Sequence, residues 1–128
     1  MKENYEIFGV KVVGEKEYGE HEFFSIEDIY FIDIWSPKKN YHVPRIHTKD
    51  GTYTVPLTLE AFKKGFSCFS HFVQLDNGNL VNIKQIERVV ETAYATTVHF
   101  KNCKESANVS RNKKHIITHI LDRDRRPK

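Results

Sequence analysis

The chain carries few of the residues that staple, anchor or arm a protein. Cysteine occurs only at Cys68 and Cys103, far apart and without CxxC spacing. Both read as reduced thiols of a cytoplasmic protein rather than parts of a disulfide framework. No apolar run approaches the length of a membrane span and the start does not resemble a signal peptide, so no membrane partner is expected. Without secretion, the glycosylation pattern Asn108-Val109-Ser110 carries no meaning. A Gly-rich phosphate loop, a GxSxG elbow and an HExxH sequence are all missing, which argues against an enzyme and against a bound cofactor. His115 and His119 stand at i, i+4, but the sequence places no third ligand beside them, so no metal is expected. Internal repeats and low-complexity segments are missing as well.

What remains is one domain's worth of core with an uneven charge. A chain of 128 residues suits a single domain. Its net charge of +3 divides sharply along the sequence. Residues 1–35 hold three lysines against nine acids, a net of −6, and residues 36–128 hold seventeen Lys and Arg against eight acids, a net of +9. A basic majority of this kind suggests a side that faces a polyanion.

In chain order, Tyr5 to Val13 is rich in β-branched and aromatic residues and reads as a strand. Gly14 to Glu22 is acidic, has no clear period and reads as a loop. Ile29 to Trp35 is apolar on both alternating faces, which predicts a central strand. Pro37 is expected to stop that strand and to open a polar, basic loop from Ser36 to His42. Val43 to His47 is extended, with Pro44 near an edge. Asp50-Gly51 suits a type I′ hairpin turn leading into Tyr53 to Pro56. Thr58 to Phe66 predicts a short helix capped by Thr58 and stopped by Gly65. Cys68 to Leu75 alternates like a strand, Asp76 to Asn79 reads as a turn, and Leu80 to Ile83 is extended. Ile86 to Val90, Thr96 to Phe100 and Ala107 to Val109 complete a mainly β domain. Residues 122–128 form a polar tail.

The last element is the most informative. Ile116, Ile117, Ile120 and Leu121 recur at i, i+1, i+4 and i+5 and give a C-terminal helix one apolar stripe. Ser110 is the candidate N-cap. The first turn ought to be acidic, yet it holds Arg111, Lys113 and Lys114. Two readings fit: a solvated turn that keeps the protein soluble, or an anion site that combines helix N–H groups with cationic side chains. Two further polar segments, Lys38-Lys39-Asn40 with His42, and Gln74 to Asn79 with Asn77, each follow an apolar strand. Taken singly, each is an ordinary solvated loop. Together, long basic side chains beside Asn and His suit phosphates and base edges of a major groove.

Phe24 to Leu121 resembles the LytTR DNA-binding domain of bacterial response regulators. The likeness rests on Ile26-Glu27-Asp28-Ile29-Tyr30-Phe31-Ile32, on His47-Thr48-Lys49-Asp50-Gly51, on Leu59 and Phe72, and on Leu80-Val81-Asn82 with Ile86. It closes on Val109-Ser110-Arg111 and two lysines. The resemblance implies three small antiparallel sheets with a short mid-chain helix and a C-terminal helix, spanning residues 23–121. It implies binding of double-stranded promoter DNA, often at paired direct repeats, through loops in successive major grooves. Carried over by position, His42, Asn77 and Arg111 would contact the groove, with Lys38, Lys39, Asn40, Lys113 and Lys114 around them. Asp76-Asn77-Gly78 departs from the family's His-Arg-Ser or His-Asn-Ser and brings a carboxylate toward the DNA. No receiver domain accompanies it, and residues 1–22 lie outside the resemblance as an added strand or a dimer contact. The rival expectation is a protein-interaction module that kept the fold and lost DNA binding.

Overall fold

A computed structural model describes residues 5–14 and 17–120 of the chain. Its strands are β1 Glu6–Val13, β2 Glu17–Ser25, β3 Ile29–Lys38, β4 Tyr41–Thr48, β5 Gly51–Thr54, β6 Phe72–Val73, β7 Leu80–Asn82, β8 Ile86–Glu91, β9 Thr96–Phe100 and β10 Ser106–Val109. Helix α1 covers Leu59–Gly65, and a 3-10 helix follows β10 at Arg111–Ile117. Every strand pairing is antiparallel, and the ladders form one seven-stranded sheet, β2-β1-β5-β4-β3-β7-β6, and one of three strands, β10-β9-β8. The mainly β chain of antiparallel sheets and short helices is as expected from the sequence. Its ladders group into two sheets rather than three, because Phe31↔Val81 and Ile32↔Leu80 join β7, and through it β6, to the sheet that holds β3, β4 and β5.

Strand β3 is central, and its two faces serve two cores. Ile29 and Ile32 pack with Ile46, Tyr53 and Leu80 under Leu59, Phe62 and Phe66. Tyr30 and Phe31 face the other way, into Val98, Phe100, Val109, Ile117 and Ile120. Phe100 is the hinge pin between the sheets, stacked 5.2 Å from Tyr30 and 5.4 Å from Phe31. The Tyr30 hydroxyl donates to the Lys101 carbonyl at 2.9 Å. Burying an aromatic of this size contributes about 2–3 kcal/mol relative to exposure. The Ile stripe of the last helix is therefore spent on the core through Ile117 and Ile120, while Leu121 lies outside the described residues.

Several local expectations give way to tertiary context. The segment Gly14 to Glu22 is largely strand β2, paired with β1 from Val13↔Glu17 to Glu6↔Ser25. Exposure along most of β2 removes the apolar alternation that would have announced it. Gly9 is needed in β1, since a Cβ there would meet the Phe24 ring at 2.9 Å and the Thr54 carbonyl at 3.1 Å. Strand β3 runs past Pro37 to Lys38 through a register shift between Trp35 and Lys38, which absorbs the proline. Pro44 is buried within the sheet, but β5 pairs β4 only from Ile46 onward, so its missing N–H faces a locally open edge.

The β4–β5 turn is made by Lys49-Asp50 rather than Asp50-Gly51. Thr48 pairs with Gly51, the Thr48 hydroxyl donates to the Gly51 carbonyl at 2.9 Å and accepts from Asp50 N–H at 3.1 Å. Only Gly51 takes a positive φ there, +136°, so the turn is not type I′. Thr58 does cap α1, accepting from Ala61 N–H at 3.1 Å. Gly65 is right-handed and passes into a 3-10 turn at Phe66–Cys68 instead of stopping the helix. Only Phe72–Val73 of the expected strand Cys68 to Leu75 pairs, because Phe66, Phe69 and Phe72 instead interlock edge to face at three-residue spacing.

One charged cluster lies on the sheet. The Asp33 carboxylate accepts both prongs of Arg45 at 3.1 and 3.2 Å and meets Nε2 of the buried His47 at 3.0 Å. His47 stacks on Phe31 at 4.2 Å, which ties the cluster to the core. Burial alone would push the Asp33 carboxyl up, but the hydrogen bonds from His47 and Arg45 outweigh it and hold the carboxyl below its ordinary range. Asp33→Ala should lower stability by about 2–4 kcal/mol, because it strands a buried imidazole and a half-buried guanidinium. A depressed carboxyl stabilises the fold above its unfolded pKa of about 3.9, and that contribution is lost as pH falls through the lower folded value. Urea unfolding at pH 5 and below pH 4 checks this: the gap between wild type and variant should narrow with acid, and a constant gap would contradict it.

Candidate nucleic-acid interface

The β3–β4 hairpin delivers the first set of residues. Lys38 pairs with Tyr41, so Lys39 and Asn40 form the tip, and Asn40 takes the left-handed conformation at φ +63°. Asparagine tolerates that conformation better than most residues, which explains its place there. Lys38, Lys39, Asn40, Tyr41 and His42 are all exposed. The His42 ring is oriented by a hydrogen bond between its Nδ1 and the Ser36 hydroxyl.

The turn after β6 delivers the second. Its organiser is Asn79, which is 4% exposed and bonds through both the oxygen and the nitrogen of its amide. Asn79 Oδ1 accepts from the N–H groups of Leu75 at 3.1 Å and Asp76 at 3.0 Å, while Nδ2 donates to the Asn108 carbonyl at 2.8 Å. The Asp76 carboxylate accepts from the N–H of Asn77, so the charge that departs from the family pattern is engaged by its own turn. Lys63 of α1 donates to the Asn77 carbonyl at 3.2 Å and pairs with Glu60 at 3.1 Å. The Asn77 side chain stays exposed.

The third set starts where β10 ends. Ser110 N–H donates to the Leu75 carbonyl at 2.7 Å, so the start of the last helix is bonded directly to the second turn. Ser110 stands at the cap position, but its hydroxyl donates to Asn112 Oδ1 at 2.7 Å instead of accepting from the first turn. The helix begins as 3-10, Arg111–Ile117, and no acid lies in its first turn. Arg111 is exposed, Lys113 is half-buried, and Lys114 reaches Glu91 at 2.6 Å. Among the described residues Lys38, Lys39, Arg111 and Lys113 make no ion pair, whereas Lys114 is committed to Glu91.

These three sets are contiguous. His42 and Asn77 line one open depression of about 330 Å³, together with Ile34, Pro44, Thr58, Leu59 and Glu60. Asn79 and the Ser110–Leu75 bond then join the Asn77 turn to the base of Arg111. Arg111 in turn borders a smaller depression of about 140 Å³ with the β8–β9 turn, where Tyr94 is 98% exposed. Asn79, Lys63 and Tyr94 were not singled out from the sequence. An exposed aromatic between two short strands was a readable signal for Tyr94, whereas Asn79 looked like one more polar turn residue. His115 and His119 are both exposed, and among the described residues no group of three potential metal ligands is assembled.

The amide, imidazole and guanidinium groups sit on turns and hairpin tips of a rigid, mainly β frame, the setting in which binding domains commonly carry their sites. The LytTr DNA-binding domain family matches residues 20–122, and the chain belongs to that family. Among solved structures it is similar to a LytTr DNA-binding domain from Bacillus cereus. The TM-score is 0.62 at 13% identity, and the match covers 89% of this chain and 95% of that one, a likeness of fold. No curated protein matches the sequence. No helix among the described residues is long and apolar enough to cross a membrane.

Asn79→Asp should test the staple. It retains an acceptor for Leu75 and Asp76 but turns a carboxylate toward the Asn108 carbonyl, costing about 1–3 kcal/mol of stability. Amide exchange should quicken at Leu75, Asp76 and Ser110 together. Quickening at Leu75 alone would show that the turn and the helix start are not coupled through this side chain.

Proposed function

We propose that this domain binds double-stranded DNA sequence-specifically, placing its three contiguous polar segments into successive major grooves to regulate transcription. The observation that carries this reading is the serial linkage of His42, Asn77 and Arg111 by one depression and two hydrogen bonds. In this reading Arg111 engages guanine O6 and N7 with its rigid fork, and Asn77 and His42 offer hydrogen bonds to base edges. Lys38, Lys39 and Lys113 neutralise phosphates, with Asn40 setting the hairpin tip. Lys114 contributes less than a free lysine, since Glu91 already holds it. Paired direct repeats in a promoter would suit two copies reading adjacent sites.

The family membership supports DNA binding. Two substitutions separate the roles. Arg111→Ala should cost about 1–3 kcal/mol of specific binding and leave the melting temperature unchanged or slightly higher, since it removes a cation from a helix start. Lys38→Ala should weaken specific and random DNA alike and flatten the salt dependence by about one unit. The check is titration of a site selected from genomic fragments, and of a scrambled one, at two salt concentrations. Equal loss of both affinities in Arg111→Ala, with a lower melting temperature, would remove Arg111 from the base-reading set.

A further inference from the structure

The family match begins at residue 20, so β1 and the first residues of β2 lie outside it and need their own account. We propose that the outer edge of β2 is a docking strand for an extended, lysine- or arginine-rich segment of a partner protein. Strand β2 ends the seven-stranded sheet and has no second strand partner among the described residues. It is mostly exposed over nine residues, so its edge offers a row of backbone donors and acceptors.

The chemistry around that edge selects a cation. Glu17 and Glu20 are exposed and make no ion pair among the described residues, while the half-buried Glu22 is paired with Lys11 at 3.8 Å. On the face opposite the buried Phe24, Phe8 and Phe23 are 53% and 65% exposed with ring centroids 4.8 Å apart. His21 stacks on Phe8 at 5.5 Å, which extends the same aromatic patch. Because side chains alternate across a strand, an added strand would meet this patch on one face and the Glu22 side on the other. Cationic side chains are attracted both to carboxylates and to aromatic faces. An apolar cavity of about 480 Å³ lies over the sheet face inboard of β2, lined by Tyr18 and His21 of β2, Val10 of β1, Thr54 of β5 and Tyr41 and Val43 of β4. It has room for an apolar side chain alternating with the basic ones.

Other occupants fit worse. DNA phosphates are repelled by three glutamates. Pairing of β2 with the same strand of a second copy would bring two strands of the same negative charge together.

The test is fluorescence anisotropy with the full chain and a labelled nine-residue peptide of alternating lysine and valine. Two controls accompany it: the same peptide N-methylated on alternate backbone amides, and a glutamate–valine counterpart. The lysine peptide should bind, and both controls should not. Glu17→Lys with Glu20→Lys should weaken binding about tenfold without reducing DNA affinity, and Glu17→Gln with Glu20→Gln should give a smaller loss. Equal binding of the N-methylated peptide would reduce the contact to unspecific charge attraction and overturn the strand-pairing claim. Unchanged binding by the charge-reversed variant would overturn the site. Sedimentation showing a dimer that the charge reversal dissolves would assign the edge to a second copy instead.

Discussion

Everything in this structure depends on a strand that is buried on both faces. Ile29, Phe31 and Ile32 of β3 are at most 1% exposed, so the backbone of β3 has little freedom once the two cores form. Its neighbours inherit that rigidity. The hairpin to β4 projects Lys39 and Asn40 beyond the packed region, and the pairing with β7 fixes where the Asp76–Asn79 turn emerges. The stack of Tyr30 and Phe31 on Phe100 holds the second sheet, and with it β10 and the start of the last helix. Turns and hairpin tips that lie far apart in the chain are therefore set by one two-sided packing constraint.

Packing positions the strands, but it leaves the turns underdetermined, and buried amides supply the missing order. Asn79 accepts twice within its own turn and donates once across a separation of 29 residues. Asn82 performs a comparable task inside the core, donating to the Ile29 carbonyl at 3.0 Å and accepting from Lys84 N–H at 3.1 Å. A buried amide left without these partners would be costly, so each bond is also a constraint on geometry. Such staples allow exposed cations such as Arg111 to be held on a defined base while their charge stays available.

The charge asymmetry of the sequence acquires a spatial meaning in the fold. The described acids Glu6, Glu17, Glu20 and Glu22 all lie on the β1–β2 hairpin, at one end of the seven-stranded sheet. The cations of the hairpin tip and of the last helix belong to other elements. A domain that carries opposite potentials on different elements can attract a polyanion with one and a basic polypeptide with another.

The mainly β class, the central place of Ile29–Trp35, the Thr58-capped helix and the core role of Ile117 and Ile120 were all legible in the sequence. Each follows from a local period or a cap chemistry that short stretches of chain impose on themselves. The motifs carrying the LytTR resemblance were legible too, and with them the candidate set His42, Asn77 and Arg111. Strand β2 was hidden because an exposed edge strand needs no apolar alternation. The Lys49-Asp50 turn was hidden because Thr48 offered hydroxyl bonds that outcompeted the Asp-Gly preference. The aromatic run Phe66, Phe69 and Phe72 folded as an interlocked corner because its partners are each other. The sequence by itself determined the apolar periods of the core strands and of the last helix and the caps that start a helix, since hydrophobicity and hydrogen-bonding capacity are properties of single side chains. Only the tertiary structure decided which polar groups stand side by side, because the joining contacts, Asn79 to Asn108 and Ser110 to Leu75, span distances along the chain that no local pattern encodes.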